Sequence, residues 1–253
     1  ALGSETVSTL SAALYGLLAS ARLEMPFKVF LLDGDYDKNL LASFLSMIKN
    51  QENMGSFHFS WRFNRFWQRI WQRLKIRAEK GSEHSAEQSS VLKSKGIYLI
   101  TGAGGGLGSL VAQYLQERYA ARLILVGRSL PPDWINSESM LWVQTDIAQA
   151  ESIQYLSDRI EAFVDREHEQ INGVFHFAGL GEGAFLKDMH SDLWQQLLEA
   201  KIAGCLHLSE LLQQWPKKGF VPDFVFLSSA LSSRLPAPAQ AAYAAANAFL
   251  DAF

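Results

Sequence analysis

From Gly96 onward, short apolar runs alternate with longer stretches in which apolar residues return every three or four positions. The runs at 97–101, 122–126, 141–144, 173–177 and 224–228 predict strands. The stretches at 106–119, 150–165, 190–214 and 240–253 predict helices. Strands and helices in alternation predict a parallel sheet covered on both faces, a Rossmann-like doubly wound α/β fold. Ahead of it the pattern changes. Residues 1–77 hold a helical stretch at 10–23, an apolar run at 27–32, a second helical stretch at 40–48 and an aromatic-basic segment. Residues 78–95 are polar and Ser-rich and read as a linker. The expected organisation is therefore 1–77, a linker at 78–95, and a main unit at 96–253.

The first zone offers two chemical suggestions. Asp33, Asp35 and Asp37 open like a calcium loop, but Lys38 and Phe44 stand where that loop needs Gly and Glu, so a solvated turn is the better reading. Residues 61–77 carry six positive charges and no acid. One reading is a basic amphipathic helix for a membrane surface or nucleic acid. However, Phe57, Phe59, Trp61 and Phe63 alternate with polar residues, which is the strand period. The favoured expectation is a hairpin turning near Asn64-Arg65, with its arginines facing solvent.

Composition narrows the field. The chain of 253 residues is 48% hydrophobic and 19% charged, an ordinary globular balance. Its 23 Lys+Arg against 26 Asp+Glu leave a net charge of −3, so no overall positive field attracts nucleic acid or an anionic membrane. The single cysteine, Cys205, suits a reducing compartment such as the cytoplasm. No apolar run approaches the roughly 18 residues of a membrane span. The start at Ala1 and the end at Phe253 inside a helical stretch lead us to expect a piece of a longer polypeptide.

The strongest local signal is residues 98–108, Tyr-Leu-Ile-Thr-Gly-Ala-Gly-Gly-Gly-Leu-Gly, between a predicted strand and a predicted helix. Gly102 permits a tight turn, Gly106 a close backbone approach to pyrophosphate, and Gly108 close packing of helix on strand. The helix N-terminus adds free N–H groups and partial positive charge. No Gly-Lys-Ser/Thr follows, which disfavours ATP. Thr101 stands where a methyltransferase usually carries an acid. Arg128, after the second strand, suits a ribose 2′-phosphate and hence NADPH rather than NADH; a solvated arginine is the other reading. Asp146, after the third strand, can accept from adenine or cap the next helix.

A second group of residues suggests reactivity. Tyr243 and Asn247 lie four apart on one helical face among alanines, a flat surface against which a helix or a ligand can pack closely. On a wheel of 190–214, Lys201 falls within about 60° of Trp194, Leu197, Leu198, Cys205, Leu208 and Leu212. A lysine in an apolar stripe either snorkels to an edge or is paired for chemistry. Ser228 and Ser229 end an apolar strand, where open sheets place their ligand crevice. Thr101, Gly179 and Ser229 are therefore expected at one cleft with the cofactor.

Thr101-Gly with Gly106 and Gly108, His176-Phe-Ala-Gly, Lys201-Ile-Ala-Gly, Phe226-Leu-Ser-Ser and Tyr243-x-x-x-Asn-Ala-Phe-Leu-Asp-Ala together resemble the short-chain dehydrogenase/reductase superfamily. More closely they resemble ketoreductase domains of modular polyketide synthases and hybrid polyketide–nonribosomal peptide synthetases. In those domains asparagine sits four after the tyrosine and lysine comes from the preceding helix, as here. The resemblance lies over 96–253. Ser11-Ala-Ala-Leu-Tyr-Gly-Leu and Ala21-Arg-Leu-Glu-Met-Pro resemble the tail of that family's degenerate structural subdomain.

The resemblance implies roles. Tyr243 would give a proton to the carbonyl oxygen, Ser229 would hydrogen-bond it, Lys201 would lower the tyrosine's pKa, and Asn247 would orient the group and its water. Cofactor contacts would fall on Thr101, Gly102, Gly104, Gly106, Leu107, Gly108, Arg128, Asp146, Ile147, Ala178 and Gly179. The implied reaction is NADPH-dependent reduction of a β-ketoacyl chain held on the phosphopantetheine arm of an acyl carrier protein. Neighbouring synthase domains would be the other partners, with no nucleic acid, membrane or metal. Fourteen positions separate Ser229 from Tyr243 where the family usually has thirteen, which leaves Ser228 and Ser229 both candidates. Gly181-Glu-Gly and Leu235 replace the family's two stereochemical signatures, so the hand of the alcohol is not specified. Residues 129–140 are too few for the usual intervening helix. The family's later strands and lid lie beyond Phe253, so this chain by itself is expected to reduce poorly. The competing readings are a synthase module that no longer reduces and a stand-alone dehydrogenase or epimerase.

Overall fold

The computed structural model describes residues 9–25, 30–33, 57–62, 65–68, 91–135, 138–164, 169–181, 183–235 and 237–253. The expected helix at 40–48, the Asp-rich turn beyond Asp33, the aromatic-basic residues beyond Gln68 and most of the expected linker lie outside them.

The elements in chain order are α1 (Thr9–Ala21), β1 (Phe30–Asp33), β2 (Phe57–Arg62), β3 (Arg65–Gln68), β4 (Ile97–Thr101), α2 (Gly106–Tyr119), β5 (Arg122–Gly127), β6 (Met140–Gln144), α3 (Glu151–Phe163), β7 (Ile171–His176), α4 (Ser191–Glu199), α5 (Ile202–Gln214), β8 (Phe224–Leu227) and α6 (Ala241–Ala252). The small sheet runs β1-β2-β3. Within it β2 and β3 pair antiparallel with Arg62 opposite Arg65, the hairpin that the alternation of aromatic residues predicts.

The main sheet is parallel and runs β6-β5-β4-β7-β8. Strands β4, β5 and β7 are near-continuous apolar runs because both their faces are covered, while Val225 and Phe226 of the edge strand β8 are exposed. Ile97 and Leu99 of β4 point into one core with Leu156 and Ile160 of α3 and Leu208 and Leu211 of α5. Tyr98 and Ile100 point into the other with Ala112 and Leu115 of α2. Chain order reverses between β4 and its neighbours β5 and β7. In such sheets the crevice outside the carboxyl ends of the strands at that switch receives the ligand.

One expected element is corrected. The single helix at 190–214 is two helices, α4 and α5, divided at Ala200-Lys201. Both residues keep right-handed backbone, with Lys201 at φ −88 and ψ −45, so the apolar period runs across the break unchanged. A periodic pattern cannot register such a break.

The alanine surface of α6 is met by α1. Gly16 of α1 packs so closely that an added Cβ would lie 2.5 Å from the Ala244 carbonyl oxygen and 2.9 Å from the Ala248 Cβ. Gly16→Ala in an open helix would stabilise by about 0.5–1 kcal/mol. Here it is expected to destabilise by about 1–3 kcal/mol, because α1 must move off the helix that carries Tyr243 and Asn247. Urea denaturation checks the sign; a more stable Gly16→Ala variant would contradict this packing.

Candidate active site

The chain leaves β4 through Gly102, whose φ of +71 an L-residue rarely adopts. A Cβ there would also meet the Ala178 backbone N at 2.6 Å, and one on Gly108 would meet the Gly102 carbonyl oxygen at 2.3 Å. The two glycines let the turn fold under the start of α2 and against the strand end of β7. Gly104, Gly105 and Gly106 are exposed. Open space surrounds the position of a Cβ on Gly106. Gly105 is the N-cap of α2 and has no side chain to cap with, so first-turn N–H groups remain free for an acceptor.

Beside this turn lies a cleft of about 480 Å³, lined by Gly102, Gly104, Gly127, Arg128, Trp142, Asp146, Ile147, Ala178 and Gly179 among others. A nicotinamide dinucleotide fits this donor set: exposed glycine amides and a helix N-terminus suit its pyrophosphate. At the far side Arg128 Nη1 lies 3.9 Å from Asp146 Oδ2. The Arg128 side chain is 56% exposed and lines the cleft. Asp146 Oδ1 accepts from the Ala148 N–H at 3.0 Å. It therefore braces its own loop and does not cap α3, whose N-cap is Ala150.

Not every expected cofactor residue reaches the cleft. Thr101 is fully buried, and its hydroxyl shares a 2.7 Å hydrogen bond with His176 Nδ1 beneath the turn. Gly108 serves helix–strand packing, and Leu107 is exposed on α2. Gly127 and Trp142 were not singled out in the sequence. The Trp142 ring lies 2.6 Å from where a Cβ on Gly127 would sit and 3.5 Å from one on Gly104. Gly127 is thus small because an indole from the next strand occupies its space. The register of β5 on β6, which places Leu125 opposite Trp142, is needed to see this.

The reactive residues gather where α5, β8 and α6 meet. Lys201 is only 5% exposed. Its Nζ donates to the Ser228 carbonyl oxygen at 2.8 Å and lies 5.7 Å from the Tyr243 ring centroid. Its stem passes against Gly179, where a Cβ would come within 2.9 Å of Lys201 Cε. Burial pulls the Lys201 ammonium down to about 8. Ser229 Oγ donates to the Asn247 carbonyl oxygen at 3.2 Å, and Asn247 Nδ2 donates to the Tyr243 carbonyl oxygen at 2.8 Å. Asn247 is fully buried, and its Oδ1 has no partner among the described residues. Lys201 thus lies between Gly179 and the Tyr243 ring, while Ser229 and Asn247 each bond a backbone carbonyl of the helix that carries Tyr243. Ser228 lends a carbonyl to the lysine, while the Ser229 hydroxyl lies against the helix of Tyr243.

His176 sits under this cluster, fully buried. Burial first, and the Lys201 charge second, hold its imidazole down to about 4 from the usual 6.5. Between those two values the unfolded chain binds a proton that the folded chain refuses. Stability is therefore lost as pH falls from 6.5 toward 4, by about 3 kcal/mol in all. An NMR titration is expected to find one of the six histidines neutral until near pH 4. All six titrating near 6.5 would contradict the burial.

A family model for the KR domain matches residues 96–253. The polyketide synthase PksN of Bacillus subtilis (strain 168) is 33% identical over 177 residues, covering 66% of this chain and 3% of that protein. The 6-methylsalicylic acid synthase of Aspergillus terreus is 34% identical over 190 residues, covering 66% of this chain and 10% of that protein. The chain thus spans a tenth or less of these relatives' length. Among solved structures, an N-terminal ketoreductase from the macrolactin assembly line superposes with a TM-score of 0.71 at 26% identity, over 98% of this chain and 49% of that one. The first ketoreductase of the tylosin PKS gives 0.71 at 25% identity, over 99% and 52%.

Proposed function

The chain belongs to the KR domain family, the ketoreductase domains of modular polyketide synthases within the short-chain dehydrogenase/reductase superfamily, and from that premise we propose that it reduces the β-ketone of an acyl chain held on a carrier protein, using NADPH. Ketoreductase domains are oxidoreductases that use a nicotinamide cofactor. The finer reading is supported above all by one observation: a lysine 5% exposed, with its ammonium 2.8 Å from the Ser228 carbonyl oxygen and 5.7 Å from the Tyr243 ring, beside a glycine-walled cleft.

Bound in that cleft, NADPH supplies the hydride that reaches the β-carbon. The protein's part is to meet the negative charge that then grows on the ketone oxygen. Tyr243 donates its phenolic proton to that oxygen. Ser229, already against α6, turns its hydroxyl to the same atom; two O–H donors at a developing oxyanion are the main electrostatic contribution. The Lys201 ammonium favours the phenolate left on Tyr243. Asn247 holds the helix carbonyl of Tyr243 and offers Oδ1 to a water that can return the proton. Arg128 supports the choice of NADPH, as a cation at the ribose end of the cleft. Contacts to the pyrophosphate would come from Gly104, Gly106 and the first turn of α2.

The relatives' length supports a place in a multidomain synthase, with carrier-protein and neighbouring domains as partners; a cytoplasmic setting is part of the same proposal. Among the described residues no helix is long and apolar enough to cross a membrane. The test is mass spectrometry of a carrier-bound β-ketoacyl chain incubated with the parent polypeptide and NADPH. Gain of two hydrogens supports the function; an unchanged ketone, with NADPH bound, refutes it.

A further inference from the structure

The segment after α1, Ala21-Arg-Leu-Glu-Met-Pro, has a role that neither the cofactor nor the catalytic cluster accounts for. Glu24 reaches from it into the main unit. Its Oε2 accepts from the Leu186 N–H at 2.5 Å, and its Oε1 accepts from the Ala239 N–H at 2.8 Å. Leu186 opens a short 3-10 turn in the loop that follows β7. Ala239 lies in the loop that precedes α6, four residues before Tyr243. One carboxylate therefore ties together the two loops that rise from the ends of the neighbouring strands β7 and β8.

Two further features indicate that the tie is built in. Ala239 is held at φ +60, a left-handed conformation that alanine rarely adopts. Its N–H is the one taken by Glu24. On its other side, its carbonyl oxygen lies 2.2 Å from where a Cβ on Gly183 would be, so the loop after β7 must carry glycine at that point to meet it. Immediately after Ala239, the Gln240 carbonyl accepts the Ala244 N–H at 2.7 Å and starts the helix that presents Tyr243. Moving Ala239 therefore moves the origin of the tyrosine's helix.

We propose that Glu24 is a positioning residue for reduction: by joining the loops at Leu186 and Ala239 it fixes the mouth through which the ketone approaches Tyr243, and so selects which face of the ketone is presented. This rests on the proposed reductase function. It also gives the N-terminal segment a part in the reaction beyond the packing of α1 on α6. Charge-assisted bonds to backbone N–H groups are among the stronger ones, and each loop has one.

The experiment compares wild type, Glu24→Gln and Glu24→Ala in the parent polypeptide by two readouts. The first is amide hydrogen exchange in peptides spanning 183–190 and 235–241. The second is steady-state reduction of a β-ketoacyl thioester with NADPH, including the ratio of alcohol enantiomers. Glu24→Ala is expected to speed exchange in both peptides by about tenfold while β4 is unchanged. Its kcat/KM is expected to fall by about tenfold to hundredfold with a mixed product hand, while NADPH affinity stays within about twofold of wild type. Glu24→Gln, with one carbonyl oxygen left, is expected to fall between. Unchanged exchange in either loop overturns the tie. Faster exchange throughout, β4 included, overturns it in favour of plain destabilisation. Looser loops with wild-type kinetics and product hand overturn the positioning role. A wild type that consumes no NADPH defeats the function on which this inference rests, and the exchange arm still reports whether Glu24 joins the loops.

Discussion

Tyr243→Phe is expected to lower the rate of ketone reduction by about a thousandfold in the parent polypeptide while leaving NADPH affinity within about twofold of wild type. The substitution removes one oxygen and one proton and little else. The ring stays beside Lys201, and the backbone carbonyl of residue 243 still accepts from Asn247 Nδ2, a bond of 2.8 Å that does not involve the phenol. The cleft walls are set by Gly102, Gly104, Gly127 and Ala178, which the substitution leaves in place. What is lost is the acid. A ketone oxygen taking on charge then keeps only the Ser229 hydroxyl as a hydrogen-bond donor and must draw its proton from water, and general acid catalysis is worth about 10²–10⁴ in rate. The readout is NADPH consumption at saturating β-ketoacyl thioester, paired with a fluorescence titration of NADPH. Binding without turnover is the expected pair. Wild-type turnover by the phenylalanine variant would remove Tyr243 from the mechanism.

Lys201→Met is expected to reduce the rate by about a hundredfold or more and, at pH 7, to leave the fold as stable as wild type or more stable by about 1–2 kcal/mol. The two effects have one source. Burial brings the Lys201 ammonium from the usual 10.5 down to about 8. Below pH 8 the folded protein carries a charge that it would rather shed, at a cost of about 3 kcal/mol, partly offset by the bond to the Ser228 carbonyl oxygen. Between pH 8 and 10.5 the unfolded chain holds a proton that the folded chain has released, so wild-type stability rises with pH across that window. Methionine fills the same apolar space without the charge, and its variant should lack this rise. Wild-type reduction should fall above about pH 8 as the ammonium is lost. Denaturant unfolding at pH 7 and pH 10, with a pH–rate profile, checks all three expectations. A methionine variant that is much less stable at pH 7 would mean the ammonium supports the fold rather than the chemistry.

How far these features were legible in the sequence depends on whether they are local. Strands β4, β5 and β7 are buried on both faces, so each is a continuous apolar run that pattern alone can find. The glycine turn is legible for a similar reason: Gly102 answers to its own positive φ and Gly108 to the Gly102 carbonyl oxygen six residues earlier, although Gly102 also makes room for the distant Ala178. Lys201 stood out because an ammonium in an apolar stripe has a large desolvation cost, and that cost shows on a wheel even though the wheel spans two helices rather than one. The alanine face of α6 announced a close neighbour but not which one; Gly16 of α1 meets it across more than two hundred positions. Gly127 and Trp142 are readable only once β5 and β6 are in register. Glu24 is the extreme case. Its partners lie 162 and 215 positions away, and both are backbone N–H groups, which leave no trace in residue identity. At Ser228 and Ser229 the contacts are again positional: the Ser229 hydroxyl lies on the Asn247 carbonyl and the Ser228 carbonyl holds the lysine, which residue identity does not show.

The lysine–tyrosine cluster beside the glycine-walled cleft is proposed to turn a bound ketone into an alcohol, and an isotope follows that step. NADPH deuterated at the transferable C4 position is given to the parent polypeptide with a carrier-bound β-ketoacyl chain, and the acyl product is analysed by mass spectrometry. Wild type is expected to place one deuterium on the β-carbon of the alcohol, and Tyr243→Phe at equal NADPH occupancy to form that labelled alcohol about a thousandfold more slowly. A wild type that binds the labelled cofactor yet returns the ketone unlabelled and unreduced would contradict that role for the cluster.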